Sequence, residues 1–82
     1  MNQGVYVLLR EKMREQDEKY GPFASTQEAL GVFLEEWDEL RQAIQSNDLM
    51  AVRRECLDLA APLLRLYEQL FTDPSLRMRS SK

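Results

Sequence analysis

The chain contains no histidine and a single cysteine, Cys56. Without histidine, the usual zinc sites and the Ser-His and Cys-His nucleophile pairs are excluded, and one cysteine cannot form an internal disulfide. Any bound metal would therefore be a hard cation held by oxygen atoms. Cys56 itself lies in an apolar helical pattern, which predicts a small buried side chain rather than a reactive thiol.

Long apolar runs and dense basic clusters are also missing. No run approaches the roughly 20 residues that cross a bilayer, and the first residues, MNQGVYVLLREKM, lack the basic region and cleavage site of a signal peptide. The 14 acidic and 11 basic residues give a net charge of −3, without the basic patch that binds a phosphate backbone. We therefore expect a cytoplasmic protein that binds neither membranes nor nucleic acid.

Glycine and proline are scarce, and Gly21-Pro22 and Asp73-Pro74 mark joints between segments whose apolar residues recur every three or four positions. This pattern predicts an all-α fold in one domain, residues 1–82. The main helices are expected at about 3–19, 26–45 and 48–71, with a short C-terminal helix at 74–80. Because 82 residues bury a small fraction of their surface, we expect oligomerisation, as a homodimer or homotetramer, to complete this compact helical bundle.

Local signals support the helix boundaries. Ser25 and Glu28 form a predicted capping box at the start of the second helix, and Asp48 ends the Ser-Asn-Asp break as the next N-cap. Pro62 lies inside the third helix, and the apolar periodicity continues across it. We therefore expect a kink near residues 59–61 rather than a break.

The most unusual stretch is FLEEWDELRQ, residues 33–42, which holds four acids in five positions. At 100° per residue, one predicted core-facing stripe runs along this helix; it comprises Leu30, Phe33, Trp37, Leu40 and Ile44. Glu36 falls between that stripe and Val32, inside an apolar sector, and Glu39 lies just beyond it. Glu35 and Asp38 point towards solvent. A carboxylate in an apolar sector requires a cation, a metal or a proton.

The third helix repeats the pattern, because Glu55 and Asp58 are also three residues apart, at the edge of an apolar sector. Helices joined by a short break pack antiparallel, so we expect Glu36, Glu39, Glu55 and Asp58 to converge. Oxygen-only ligation suits Mg²⁺, with Mn²⁺ as an alternative. The competing interpretation is a solvated or salt-bridged face, since acid pairs at this spacing are common on helices.

The motifs EEWDEL and ECLD, separated by a spacer of helix-turn length, resemble the EExxE and ExxD signature of MazG-like nucleotide pyrophosphohydrolases. These enzymes belong to the all-α NTP pyrophosphatase superfamily, which includes the dimeric dUTPases, and the resemblance covers about residues 23–70. It implies Mg²⁺-dependent hydrolysis of a nucleoside triphosphate to the monophosphate and pyrophosphate. By matching positions, Glu36, Glu39, Glu55 and Asp58 would bind the metal. Glu35 would be a catalytic auxiliary.

The remaining parts of a nucleotide site are less defined in the sequence. Arg54 and Arg65 lie on the same side of the third helix as Asp58 and are candidate phosphate-binding residues, although each is equally suited to a surface ion pair. Tyr20 and Phe23 are candidates for stacking on the nucleobase. The alternatives to an enzyme are a non-catalytic helical interaction or nucleotide-sensing module that keeps the fold, and a helical adaptor whose acids are only surface charge.

Overall fold

Three helices joined by short turns make up the structure, a computed structural model that describes residues 3–73 and 76. The helices are α1 (Gln3–Tyr20), α2 (Thr26–Gln45) and α3 (Leu49–Thr72). The predicted all-α class is confirmed, since the described residues form no strand. The short helix expected at 74–80 lies outside the described residues, apart from the buried Leu76.

The two joints follow from local chemistry. Gly21 ends α1 with a φ of +70°, a conformation that glycine adopts without strain, and its N–H donates to the Asp17 carbonyl at 2.9 Å. The Ser25 hydroxyl accepts the Glu28 N–H at 3.1 Å, as predicted. The Glu28 carboxylate reaches one residue further than in a standard capping box and accepts the Ala24 N–H.

Asp48 caps α3 as predicted, because its carboxylate accepts the Ala51 N–H at 3.1 Å. Further along, α3 continues through Pro62, whose side chain is fully buried. The kink expected near this proline stays a prediction.

The central element is α3, which packs against both α1 and α2, whereas α1 and α2 do not pack against each other in the described part of the chain. Small side chains at Ala29, Ala43 and Ala61 are almost completely buried. Such residues let helix backbones approach closely. The arrangement leaves an open space between α1 and α2, with α3 as its floor.

Two sequence-based expectations about the core are wrong. Leu40 is buried, but Trp37 is 50% exposed and Leu30 and Ile44 are exposed to a similar degree. The packed face of α2 is instead centred on Ala29, Leu40 and Ala43. Helix α2 has apolar residues along two edges, and α3 covers only one of them. Cys56 is exposed rather than buried.

None of the described helices combines the length and apolar character needed to cross a membrane.

Candidate metal centre and cleft

An open cleft of about 520 Å³ lies between α1 and α2. Its lining combines basic and acidic side chains from all three helices. On the side of α1 are Lys12, Gln16 and Lys19; on the side of α2 are Glu35 and Glu36; α3 contributes Asp58 and Arg65. The cleft stays open because α1 and α2 both pack on α3 and not on each other in the described part of the chain.

Three carboxylates meet beside this cleft. One oxygen each from Glu36, Glu39 and Glu55 lies within 4.8 Å of the other two. Glu36 and Glu39 are one helical turn apart on α2, and Glu55 faces them from α3. The structure therefore brings together three of the four acids that the sequence analysis singled out; we call them the acid triad.

The acid triad is electrostatically strained. Desolvation raises the pKa of Glu36 from its ordinary value of 4.5 to about 7, and the negative charges of Glu39, Asp58, Glu55 and Glu35 add to the rise. Desolvation and the adjacent Glu55 carboxylate also raise the pKa of Glu39. Both shifts favour the protonated acid, so the arrangement favours either a proton or a positive partner.

Glu55 is the most deeply placed member of the triad. The residue is only 8% exposed, and its Oε1 atom accepts no hydrogen bond from any described residue. Its other oxygen lies 3.5 Å from Nε of Arg54, which is itself largely exposed. A buried carboxylate oxygen without a donor is costly, and a bound cation would relieve that cost.

The geometry of the triad suits a small hard cation. Mg²⁺ binds oxygen at about 2.1 Å in an octahedron, so ligand oxygens lie roughly 3 Å apart when adjacent and roughly 4.2 Å apart when opposite. One oxygen of each triad residue lies within 4.8 Å of the other two, which is of the same order as these separations. Three carboxylate groups could hold a hard divalent cation, and a Mg²⁺ or Mn²⁺ site here stays a prediction.

Asp58, the fourth predicted ligand, lies near the triad but is paired with a cation from α1. The Lys12 Nζ atom is 3.1 Å from Asp58 Oδ1, and both side chains are partly buried. That oxygen accepts no hydrogen bond within the described structure, so the pairing is electrostatic rather than directional.

The other two acids of FLEEWDELRQ differ from each other. Asp38 is half exposed, and hydrogen bonds from Arg41 and Gln42 lower its pKa, as in an ordinary helix-surface network. Glu35 is also exposed, but its side chain lines the cleft beside Glu36 and Asp58. An auxiliary role for Glu35 is sterically open and stays a prediction.

Arg65, a predicted phosphate-binding residue, is bound within the protein. Its guanidinium donates to Asp17 Oδ1 at 2.8 Å and to the Gly21 carbonyl at 2.6 Å, and it lies 4.7 Å from the centre of the Phe23 ring. The side chain is about 5% exposed. These contacts support a structural role in which Arg65 anchors the α1–α2 joint to α3, and phosphate binding by Arg65 stays a prediction.

The candidate base-stacking residues differ in accessibility. Phe23 is 5% exposed, sits under Arg65 and packs edge-to-face on Phe33. Its backbone is also held by the Gln69 side-chain amide, which bonds both its N–H and its carbonyl. Tyr20 is 69% exposed, lines the cleft and is the more accessible of the two rings. Arg54 is exposed and does not line the cleft.

Lys12 and Lys19 are cleft residues that the sequence analysis did not identify. They lie in the polar second half of α1, which resembles a solvated face. One signal was available for Lys12, since it is three residues after Leu9 and adjacent to Met13, and these two apolar residues lie on the packed face of α1. The acids that Lys12 faces are far away in the sequence.

Comparison of the chain with protein-family models, curated proteins and solved structures gives no match.

Proposed function

We propose that this protein is a Mg²⁺-dependent nucleoside triphosphate pyrophosphohydrolase, which converts a ribo- or deoxyribonucleoside triphosphate to the monophosphate and pyrophosphate. The observation that carries the proposal is the convergence of Glu36, Glu39 and Glu55 next to Asp58 at the edge of a cleft. The same four residues match the EExxE and ExxD motifs. A role in removing unwanted nucleotides from the cytoplasmic pool is consistent with this activity.

The chain's own residues divide the work. Glu36, Glu39, Glu55 and Asp58 would hold the metal, which supplies charge neutralisation of the triphosphate and activation of a water molecule. Glu35, which lines the cleft, would accept a hydrogen bond from that water. No histidine is required for this chemistry.

Self-association is the second part of the proposal. Several large apolar side chains of α2 are exposed at heptad-like spacing; they are Leu30, Leu34, Trp37 and Ile44. A row of this kind is suited to packing against another helix, and large exposed apolar patches are rare on monomers. We propose that a homodimer or homotetramer buries this row, which we call the outer seam of α2.

The activity is tested by incubating the purified protein with a panel of ribo- and deoxyribonucleoside triphosphates and Mg²⁺ and measuring pyrophosphate release. Release is expected for at least one nucleotide, and Glu39→Gln is expected to lower the rate by at least about 100-fold, the range seen when a charge-stabilising group is removed from an active site. Glu11→Gln, an exposed change on α1, serves as the control. Absence of release for every nucleotide contradicts the proposal.

A non-catalytic nucleotide-sensing or interaction module is the alternative function. One observation favours it: Arg65 and Phe23, expected to bind phosphate and base, contact each other instead. This alternative predicts binding of Mg²⁺ and a nucleotide without pyrophosphate release, so the same incubation combined with a binding measurement separates the two functions.

A further inference from the structure

Lys12 is the cation of the described chain that lies closest to the predicted metal ligands. Its ammonium is 3.1 Å from Asp58 Oδ1, and its side chain is 32% exposed on the α1 wall of the cleft. Asp58 is the one predicted ligand outside the acid triad. Lys12 therefore pairs with the carboxylate of Asp58, which a divalent cation bound at the triad would also contact.

The Lys12–Asp58 ion pair is suited to replacement of the ammonium by a divalent cation. A divalent cation at the triad repels an ammonium on the neighbouring Asp58, because two positive centres would then share one small, partly desolvated region. Since Asp58 Oδ1 accepts no hydrogen bond among the described residues, the pair lacks the directional bonding that would hold it together. The long lysine side chain can move into the cleft without any change in the backbone.

The cleft offers a reason for such a movement. Lys12 and Lys19 lie on the α1 wall, which also carries Glu15, and Glu35 and Glu36 lie on the α2 wall. The two lysines of α1 therefore face acids of α2. A triphosphate carrying a metal ion has matching character: the metal requires carboxylates, and the remaining phosphate oxygens require cations. Lysine binds phosphate as a point charge and requires no fixed fork geometry.

We propose that Lys12 is a phosphate-binding residue, paired with Asp58 until a divalent cation occupies the acid triad and then contacting the phosphate oxygens of a bound metal–nucleoside triphosphate complex. The inference rests on the proposed function and adds a residue and an order of events to it. It also assigns to α1 a contact that the resemblance, confined to residues 23–70, does not supply.

The test uses Lys12→Gln and two binding measurements that do not depend on turnover. Titration calorimetry with Mn²⁺ alone is expected to show tighter binding to the variant, because a competing positive charge is gone. Titration of the Mn²⁺-loaded protein with a panel of α,β-methylene nucleoside triphosphates is expected to show affinity lower by about 10-fold or more, the loss of one charge-assisted hydrogen bond.

Arg10→Gln is the matched control, because Arg10 also links α1 to α3 through an ion pair, with Glu68 at 2.8 Å, but lies outside the cleft. It is expected to change neither affinity. Lys12→Arg retains a positive charge and is expected to restore near-wild-type binding of both Mn²⁺ and the triphosphates. This variant keeps the proposal testable if Lys12→Gln fails to fold.

The outcomes separate the two proposals. If wild-type protein binds no Mn²⁺, the proposed function fails and this inference fails with it. If wild-type protein binds Mn²⁺ but Lys12→Gln changes neither affinity, or lowers both by the same factor, Lys12 is only structural and the proposed function is unaffected. Wild-type protein that binds Mn²⁺ but no triphosphate also overturns the role of Lys12.

Discussion

Replacement of Glu36 by glutamine removes the carboxylate with the most strongly raised pKa in the described chain, while keeping the side-chain shape. The pKa of Glu36 rises from 4.5 to about 7, mainly through desolvation and then through neighbouring acids. Without a cation, the ionised form of Glu36 therefore destabilises the folded state. We expect Glu36→Gln to stabilise the protein at neutral and alkaline pH when divalent cations are removed by a chelator.

The sign follows from proton binding. An acid whose pKa is higher in the folded chain than in the unfolded chain binds its proton more tightly when folded. The contribution of protonated Glu36 to the stability of the folded state is therefore complete below pH 4.5. It is lost as the pH rises from 4.5 to about 7. The difference between the ordinary and the raised pKa of Glu36 corresponds to roughly 3 kcal/mol in the free energy of unfolding. Because the cleft is open to solvent, screening reduces the expected effect to about 1–2 kcal/mol.

This magnitude is measurable by thermal denaturation. One kcal/mol shifts the melting temperature of a domain of this size by about 4–8 °C. With a chelator at pH 8, Glu36→Gln is expected to melt above wild type by roughly 5–10 °C, and the two should converge near pH 4.5. Saturating Mn²⁺ should reverse the order, because a cation that binds only the folded state stabilises the complete site.

Glu11→Gln serves as the control for loss of one negative charge, since Glu11 is exposed on α1. If Glu36→Gln and Glu11→Gln have the same dependence of melting temperature on pH, the reasoning about desolvation and crowding at Glu36 is refuted. If only the response to Mn²⁺ is missing, the crowding is real but the metal site is not.

Two further predictions concern the scaffold and the outer seam. Arg65→Lys keeps a positive charge but loses the guanidinium fork that contacts Asp17 and Gly21, so the free energy of unfolding should fall by about 2 kcal/mol in urea denaturation; an unchanged midpoint would contradict its structural role. Leu34→Glu places a charge on the outer seam beside Trp37, and sedimentation velocity should show smaller assemblies than for wild type. An unchanged assembly size would exclude this surface as the interface.

The helices themselves were predictable because their signals are local. Ser25 with Glu28, Asp48, and the Gly21-Pro22 pair each act within a few residues of a helix end. Helical periodicity was also sufficient to set Glu36 apart from Glu35 and Asp38, since it depends only on positions within one helix.

The packed face of α2 was less predictable. This helix has apolar residues on two edges, and periodicity alone ranked Trp37 with Leu40 as core. Only Leu40 is buried, because α3 is the one described helix that packs on α2. The burial of Cys56 was predicted wrongly for a related reason. The apolar sector of α3 is wider than its contacts with the other helices, so residues at the margin of that sector stay exposed.

By itself, the sequence determined the helices, their caps and the two acid pairs, since each depends on residues within a turn or two of one another. Only the tertiary structure decided that α1 packs on α3 and leaves a cleft facing α2. It alone placed Lys12 on Asp58 and enclosed the Arg65 guanidinium between Asp17 and Gly21. Such contacts join residues far apart in the chain, and their formation depends on how the helices pack rather than on any local propensity.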